Sequence, residues 1–204
     1  MEYNSNMENI WKKAKENQEV LHFKNFHVPS ITWEEIVTFI YNESILDSGF
    51  EDKVKSGLAY ENNPLGSAVG NLFIDGTYLL PQSQALHKFL NGVSELMEKV
   101  NGSKDGDSCQ YYDGPIGKYN CNCKLRWHIQ GLRFSIGNKY IADHNDPCDV
   151  LYWQILGSSY WTINNDKVYK LDPGDLLYFN KEDIHRVTQD GPRVAIIIDG
   201  PKNA

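Results

Sequence analysis

The chain has 204 residues, enough for one domain with its own core, and 41% of them are hydrophobic, which argues against wholesale disorder. A formal charge of −7 argues against a general binder of the phosphate backbone, which presents clustered Lys and Arg, so no long nucleic acid is expected as partner. No apolar run approaches the ~20 residues needed to span a bilayer, and residues 1–18 are polar and mixed in charge, unlike a signal or transit peptide.

The expected compartment is the cytoplasm, with Cys109, Cys121, Cys123 and Cys148 as free thiols and no membrane partner. In chain order, Met7 to Asn17 predicts a short polar helix with Ile10, Trp11 and Ala14 on one side. Val20-Leu21-His22-Phe23 reads as a short strand. Ser30 or Thr32 can cap a helix from Trp33 to Ile40, whose first turn carries Glu34 and Glu35, the charge a helix N-terminus favours. Asn42 to Gly70, rich in Asn, Gly and Ser, reads as loop. Pro81 and Ser83 open a helix from Gln84 to Val100, in which Leu86, Phe89, Leu90, Val93, Leu96 and Met97 recur at helical spacing; Asn101-Gly102 ends it. Ser103 to Asn122 is polar, with Gly and Asp in it, and reads as a loop or lid in which Tyr111 and Tyr112 close over a substrate.

Beyond Leu125 the texture changes. Short apolar or alternating runs are separated by tight turn signals: Gly137-Asn138, Asn145-Asp146-Pro147, Asn164-Asn165-Asp166, Asp172-Pro173-Gly174-Asp175 and Gln189-Asp190-Gly191-Pro192. Strands of about five to eight residues with turns at this spacing predict an antiparallel sandwich or barrel, and twelve Tyr and five Trp suit a sheet-rich fold. The expected organisation is a single domain, 1–204, in which residues 1–124 supply helical and mixed support with the lid, and residues 125–204 the barrel that carries the site.

The chemistry concentrates between Gly137 and Asp199. His144-Asn145-Asp146 places two metal donors two residues apart, on one face of an extended segment, and His185 is a third candidate. A His-x-carboxylate pair with a distant His suits non-haem Fe(II), because it leaves positions open for substrate, cosubstrate and oxygen. Alone, His-x-Asp is a weak signal, and Asn-Asp-Pro is good turn chemistry. The flanking Gly157, Trp161, Pro173-Gly174-Asp175 and His185 give the pair its weight. Asp149 is a competing carboxylate at the wrong spacing for one strand face, and reads as a capping or orienting group. Cys121-x-Cys123, with Cys109 and His128, lacks the two-residue gap of a zinc pair, so these read as ordinary thiols. His22, His27 and His87 fall in no recognisable pattern.

Gly174-x5-Asn180-x-Glu182-x2-His185 resembles the second cupin motif, with Asn180 and Glu182 where that motif carries Pro and Gly. In the first cupin motif a glutamate ligand would fall at Val150, which binds no metal, and Asp146 stands where a second His is usual. His144 to Trp161, followed by Leu171 to Tyr178, resembles JmjC-like and other cupin-fold 2-oxoglutarate oxygenases, in the pattern His-x-Asp, Gln-x-x-Gly-x-x-x-Trp, Pro-Gly-Asp-x-Leu-Tyr and a distal His. The ending, His185-Arg-Val with Arg193 to Asp199, is similar to the aspartyl/asparaginyl hydroxylase group.

The resemblance covers residues 125–199. It implies a mainly β fold with N-terminal helices, built on a double-stranded β-helix (cupin, jelly-roll) barrel. It further implies an Fe(II)- and 2-oxoglutarate-dependent oxygenase, a hydroxylase of a small molecule or of a protein or peptide side chain. Iron would sit on His144, Asp146 and His185. The Lys that JmjC proteins commonly carry two residues after the Gly falls here at Ser159, so Arg193 would take the far carboxylate of 2-oxoglutarate, with Tyr140, Thr162 and Arg133 in support. Trp153 and Trp161 are expected in the barrel core, Gln154 along the pocket, and Arg186 on the opposite face from His185. The alternatives are an oxoglutarate-independent cupin metal enzyme, such as a dioxygenase or isomerase, and a non-catalytic cupin-like binding module.

Overall fold

In the computed structural model, residues 6–42, 71–75, 87–101, 127–135, 141–165 and 167–200 are described. The first helix, α1 (Asn6–Glu16), buries Trp11 and Ala14 as its apolar side predicts. Trp11 packs against Phe23, Trp127 and Tyr178 at ring-centroid distances of 5.6, 5.4 and 5.3 Å. A short strand, β1 (Leu21–Phe23), follows, and then α2 (Trp33–Asn42). Thr32 caps α2: its Oγ1 accepts from the Glu35 backbone N–H at 3.2 Å, while the Glu35 carboxylate accepts from the Thr32 N–H at 2.7 Å. This reciprocal pair satisfies two of the donors that a helix start leaves free.

Next come β2 (Asn71–Asp75), for which the sequence pattern gave no expectation, and α3 (His87–Asn101). Val93, Leu96, Met97 and Val100 form the buried stripe of α3. The expected first turn, at residues 84–86, lies outside the described residues, as do the loop at 43–70 and the lid at 103–122. No helix among the described residues is long and apolar enough to cross a membrane.

Eight strands build the barrel: β3 (His128–Ser135), β4 (Ile141–His144), β5 (Val150–Leu156), β6 (Ser159–Ile163), β7 (Lys167–Leu171), β8 (Leu176–Phe179), β9 (His185–Thr188) and β10 (Arg193–Asp199). They form two antiparallel sheets, ordered β1-β8-β5-β10-β3-β2 and β4-β9-β6-β7. Between β3 and β10 the chain passes repeatedly from one sheet to the other, and each sheet takes strands from both halves of that path. That winding is a double-stranded β-helix.

The larger sheet is covered on both faces. In β5, Leu151, Trp153 and Ile155 point to the helices, while Val150 and Tyr152 point between the sheets. In β8, Leu176 and Tyr178 face the helices while Leu177 and Phe179 face the barrel interior; in β10, Val194, Ile196 and Ile198 oppose Ala195 and Ile197 in the same way. Burial on both faces explains why these strands read as continuous apolar runs. Each fully buried Leu, Ile or Phe contributes roughly 1.5–3 kcal/mol, so both cores are needed to hold the sheet.

Asp175, in the turn before β8, fastens the N-terminal segment to the barrel. Its buried carboxylate accepts from the Asn25 N–H (3.0 Å), the Lys24 ammonium (2.7 Å), His22 (3.0 Å) and the Asp172 N–H (3.1 Å). Burial by itself raises the Asp175 pKa, but these bonds outweigh it and hold the group below its ordinary value. The stabilisation is therefore complete above pH 3.8 and is lost as the pH falls beneath it. Asp175→Asn is expected to cost about 3 kcal/mol in urea denaturation at pH 7 and to flatten the acid limb of stability against pH. An unchanged acid limb would refute the pairing.

Candidate metal centre

β4 and β9 are neighbours, and after a register shift following Ile141 their pairing sets His144 directly across from His185. The two ring centroids are 4.2 Å apart. Asp146 lies on the segment leaving β4, with Oδ2 3.5 Å from Nε2 of His185. One donor atom from each of the three residues lies within 4.8 Å of the others. Two ligands bound about 2.1 Å from one ion are at most about 4.2 Å apart, so a small contraction lets the trio share an ion. The sequence brings them together because His144 and His185 are cross-strand partners and Asp146 follows two residues later.

His185 is 2% exposed and walled by Trp161 and Phe179, at centroid distances of 5.5 and 4.4 Å. Burial pushes its pKa below the ordinary value, with His144 adding to the effect, against the hydrogen bond to Asp183 and the charges of Asp146 and Asp183. Its Nδ1 lies 3.0 Å from the carbonyl oxygen of Asp183. A carbonyl only accepts, so Nδ1 carries the hydrogen and Nε2 keeps its lone pair toward Asp146. Two imidazoles and a carboxylate are a suitable donor set for a divalent transition metal.

The barrel interior also holds a charge. Arg193, at the start of β10, is 1% exposed and donates from Nη1 to the Tyr152 hydroxyl at 2.7 Å. Its buried Nε has no hydrogen-bond partner. Burial lowers the Arg193 pKa, and Arg133, directly across from Ala195 on β3, adds to this while Tyr152 opposes it. Tyr152 packs edge-on against Trp161 at 4.4 Å, which links Arg193 to the wall of the His185 site.

Strand order decides the architecture: β8-β5-β10 and β9-β6-β7 share one core, in which Tyr152, Phe179 and Ala195 of the larger sheet meet Trp161, Leu171 and Val187 of the smaller. The fold is a cupin-type double-stranded β-helix. No protein-family model and no curated protein matches the sequence. Among solved structures the chain is similar to a cupin superfamily protein of Desulfitobacterium hafniense, with 22% identity over 35% of this chain and 66% of that one and a TM-score of 0.33. It is similar also to the DMSP lyase DddQ of Ruegeria pomeroyi (19% identity, 44% of this chain, 46% of that one, TM-score 0.35). A third is a cupin-like protein of Thermotoga maritima (13%, 40%, 60%, TM-score 0.35). The chain thus spans 46 to 66% of the length of these three.

The remaining expected residues of the cupin barrel divide sharply. Thr162 does not join the interior: Ser159, Trp161 and Ile163 of β6 point inward, so strand alternation turns Thr162 outward, opposite Arg186 and Val168. Tyr140 lies outside the described residues, as do Cys109, Cys121 and Cys123. Gln154 is fully buried, and its amide is committed: Nε2 donates to the Leu156 and Gly157 carbonyls, and Oε1 accepts from Ser159, whose Oγ accepts from Trp161. It braces the strand rather than lining a pocket.

Trp153 is in the core beneath the helices, its indole N–H on the His27 carbonyl at 2.8 Å, whereas Trp161 lies in the interior beside His185. Asp149 accepts from the Lys181 N–H and pairs with Lys15, apart from the triad. Arg186 points outward to Asp143 at 3.9 Å. Cys148 is a poor nucleophile, because burial and then Asp199 push its thiol up to about 12. Sequence reasoning missed Tyr152, whose place two residues before Gln154 was the available signal.

Proposed function

We propose that the protein is an Fe(II)- and 2-oxoglutarate-dependent oxygenase, a hydroxylase of a small molecule or of a protein or peptide side chain. The observation that carries the reading is the pairing, in one barrel, of a converging His-His-Asp set with a buried guanidinium that has an unused N–H. Three protein donors leave the rest of an octahedral ion open to cosubstrate, oxygen and solvent. Fe(II) held by His144, Asp146 and His185 would supply oxygen activation, the step that side chains do not perform.

The chain's own residues do the rest. Burial keeps His185 neutral and so ready to ligate. Trp161 and Phe179 exclude water from its inner side. Arg193 and the Tyr152 hydroxyl take the far carboxylate of 2-oxoglutarate, whose charge offsets that of a cation with almost no exposure. A buried donor without an acceptor is rare and costly, and an acid at Arg193 supplies the acceptor.

The test is calorimetric titration of 2-oxoglutarate into anaerobic Mn(II)-loaded protein, paired with succinate release under Fe(II) and oxygen. Binding should require the metal and weaken at least about 10-fold in Arg193→Lys, which keeps the charge and loses the planar fork. Stoichiometric metal with no 2-oxoglutarate binding would reject the proposal in favour of an oxoglutarate-independent cupin metal enzyme.

A further inference from the structure

We infer that Asp183 is a positioning residue that determines which nitrogen of His185 faces the metal. The inference rests on the metal reading above and extends it to the turn where this chain departs from the second cupin-like motif. Where the motif has Pro and Gly, this chain has Asn180 and Glu182, so side-chain bonds must supply the rigidity that a proline ring would give.

Asp183 is 4% exposed, and both of its oxygens are engaged. Oδ2 accepts from the backbone N–H of Asn180 at 2.8 Å and from its amide at 3.1 Å. Oδ1 accepts from the amide of Asn164 at 2.7 Å. Asn164 stands in the hairpin between β6 and β7, in left-handed backbone at φ 53°. Its Oδ1 accepts from the Ile184 N–H at 3.0 Å, and its own N–H donates to the Ile184 carbonyl at 2.7 Å.

The two residues before His185 are thus clamped from within their own turn and from the neighbouring hairpin. With that backbone fixed, the Asp183 carbonyl is held 3.0 Å from Nδ1 of His185. The partner on one ring nitrogen of a ligating histidine sets the tautomer and aims the other nitrogen at the metal. Asp183 acts on the metal through His185 and touches no reacting atom.

The experiment reads two quantities: the affinity for Co(II), from its visible ligand-field absorption, and the His185 tautomer in metal-free protein, from ¹⁵N NMR. Wild type should show the Nδ1–H tautomer. Asp183→Ala should mix the tautomers and weaken Co(II) binding about 10- to 100-fold. Asp183→Asn alone sets amide against amide, and Asn164→Asp alone sets carboxylate against carboxylate, so each should also weaken binding.

The double exchange of Asn164→Asp with Asp183→Asn reverses the one bond between these two side chains and leaves an oxygen to accept from the Asn180 and Ile184 donors, so it should restore both readouts. That restoration separates positioning from general damage, and it decides the matter even where Asp183→Ala does not fold. A folded Asp183→Ala with one tautomer and wild-type affinity overturns the inference, as does an exchange that recovers nothing. Wild type that binds no Co(II) overturns the metal reading instead, and the tautomer measurement still judges the role of Asp183.

Discussion

His185→Ala is expected to abolish stoichiometric Fe(II) binding and, with it, any succinate release. The loss should exceed about 100-fold in affinity, because removing only the partner that orients a ligand already costs 10- to 100-fold. Only His144 and Asp146 would remain of the cluster found among the described residues. The remaining pair sits on one short segment and cannot enclose an ion from two strands. Anaerobic metal analysis after gel filtration, beside wild type, measures the effect; equal iron in the two proteins would remove His185 from the site.

The same residue gives a pH signature in the metal-free protein. Because burial holds its pKa below 6.5, the unfolded chain takes up the proton first as the pH drops. Stability should therefore decline below pH 6.5 and level off once the folded imidazole is also charged. In His185→Ala that segment of the decline should vanish.

Much of the site was legible because its chemistry is local. His144 and Asp146 sit two apart, so any extended backbone puts them on one side, and Gly174 with His185 kept a recognisable spacing. Facing was harder. A strand covered on both sides loses the apolar-polar alternation that reveals its inner face, so the β5 sequence left undecided which of Tyr152 and Trp153 looks inward. Thr162 sits uneasily beside the expectation for Trp161: on an extended strand, a Trp161 in the core turns the next residue to the outer face.

The long-range ties were invisible in principle. The bonds from Asp175 to His22, Lys24 and Asn25 join segments far apart in the chain, and no periodicity records such a partner. The Asn164–Asp183 contact is hidden in the same way, since Asn-Asn in a hairpin and Asp in a turn are each ordinary turn chemistry. A strand at Asn71–Asp75 emerges only from its pairing with β3.

Gly157→Ala is expected to be among the most destabilising single-methyl changes in the barrel. Gly157 stands between β5 and β6 at φ +67°, where a side chain costs about 1–2 kcal/mol by local sterics alone. A Cβ built there would meet the Pro192 carbonyl oxygen at 2.1 Å and the Cα of Arg193 at 3.1 Å. Both neighbours are backbone, so no side-chain rotation relieves the contact, and the start of β10 has to move. That displacement carries Arg193 away from the Tyr152 hydroxyl 2.7 Å from it. The total should reach at least about 3 kcal/mol in urea denaturation, with weaker 2-oxoglutarate binding in the folded fraction. Gly191→Ala is the control: a Cβ at Gly191 meets nothing within 4 Å, so its cost should stay within about 0.5–1 kcal/mol. Equal losses at the two positions would mean that β10 does not approach the β5–β6 turn as closely as the register requires, and Arg193 would then lose its place in the barrel interior.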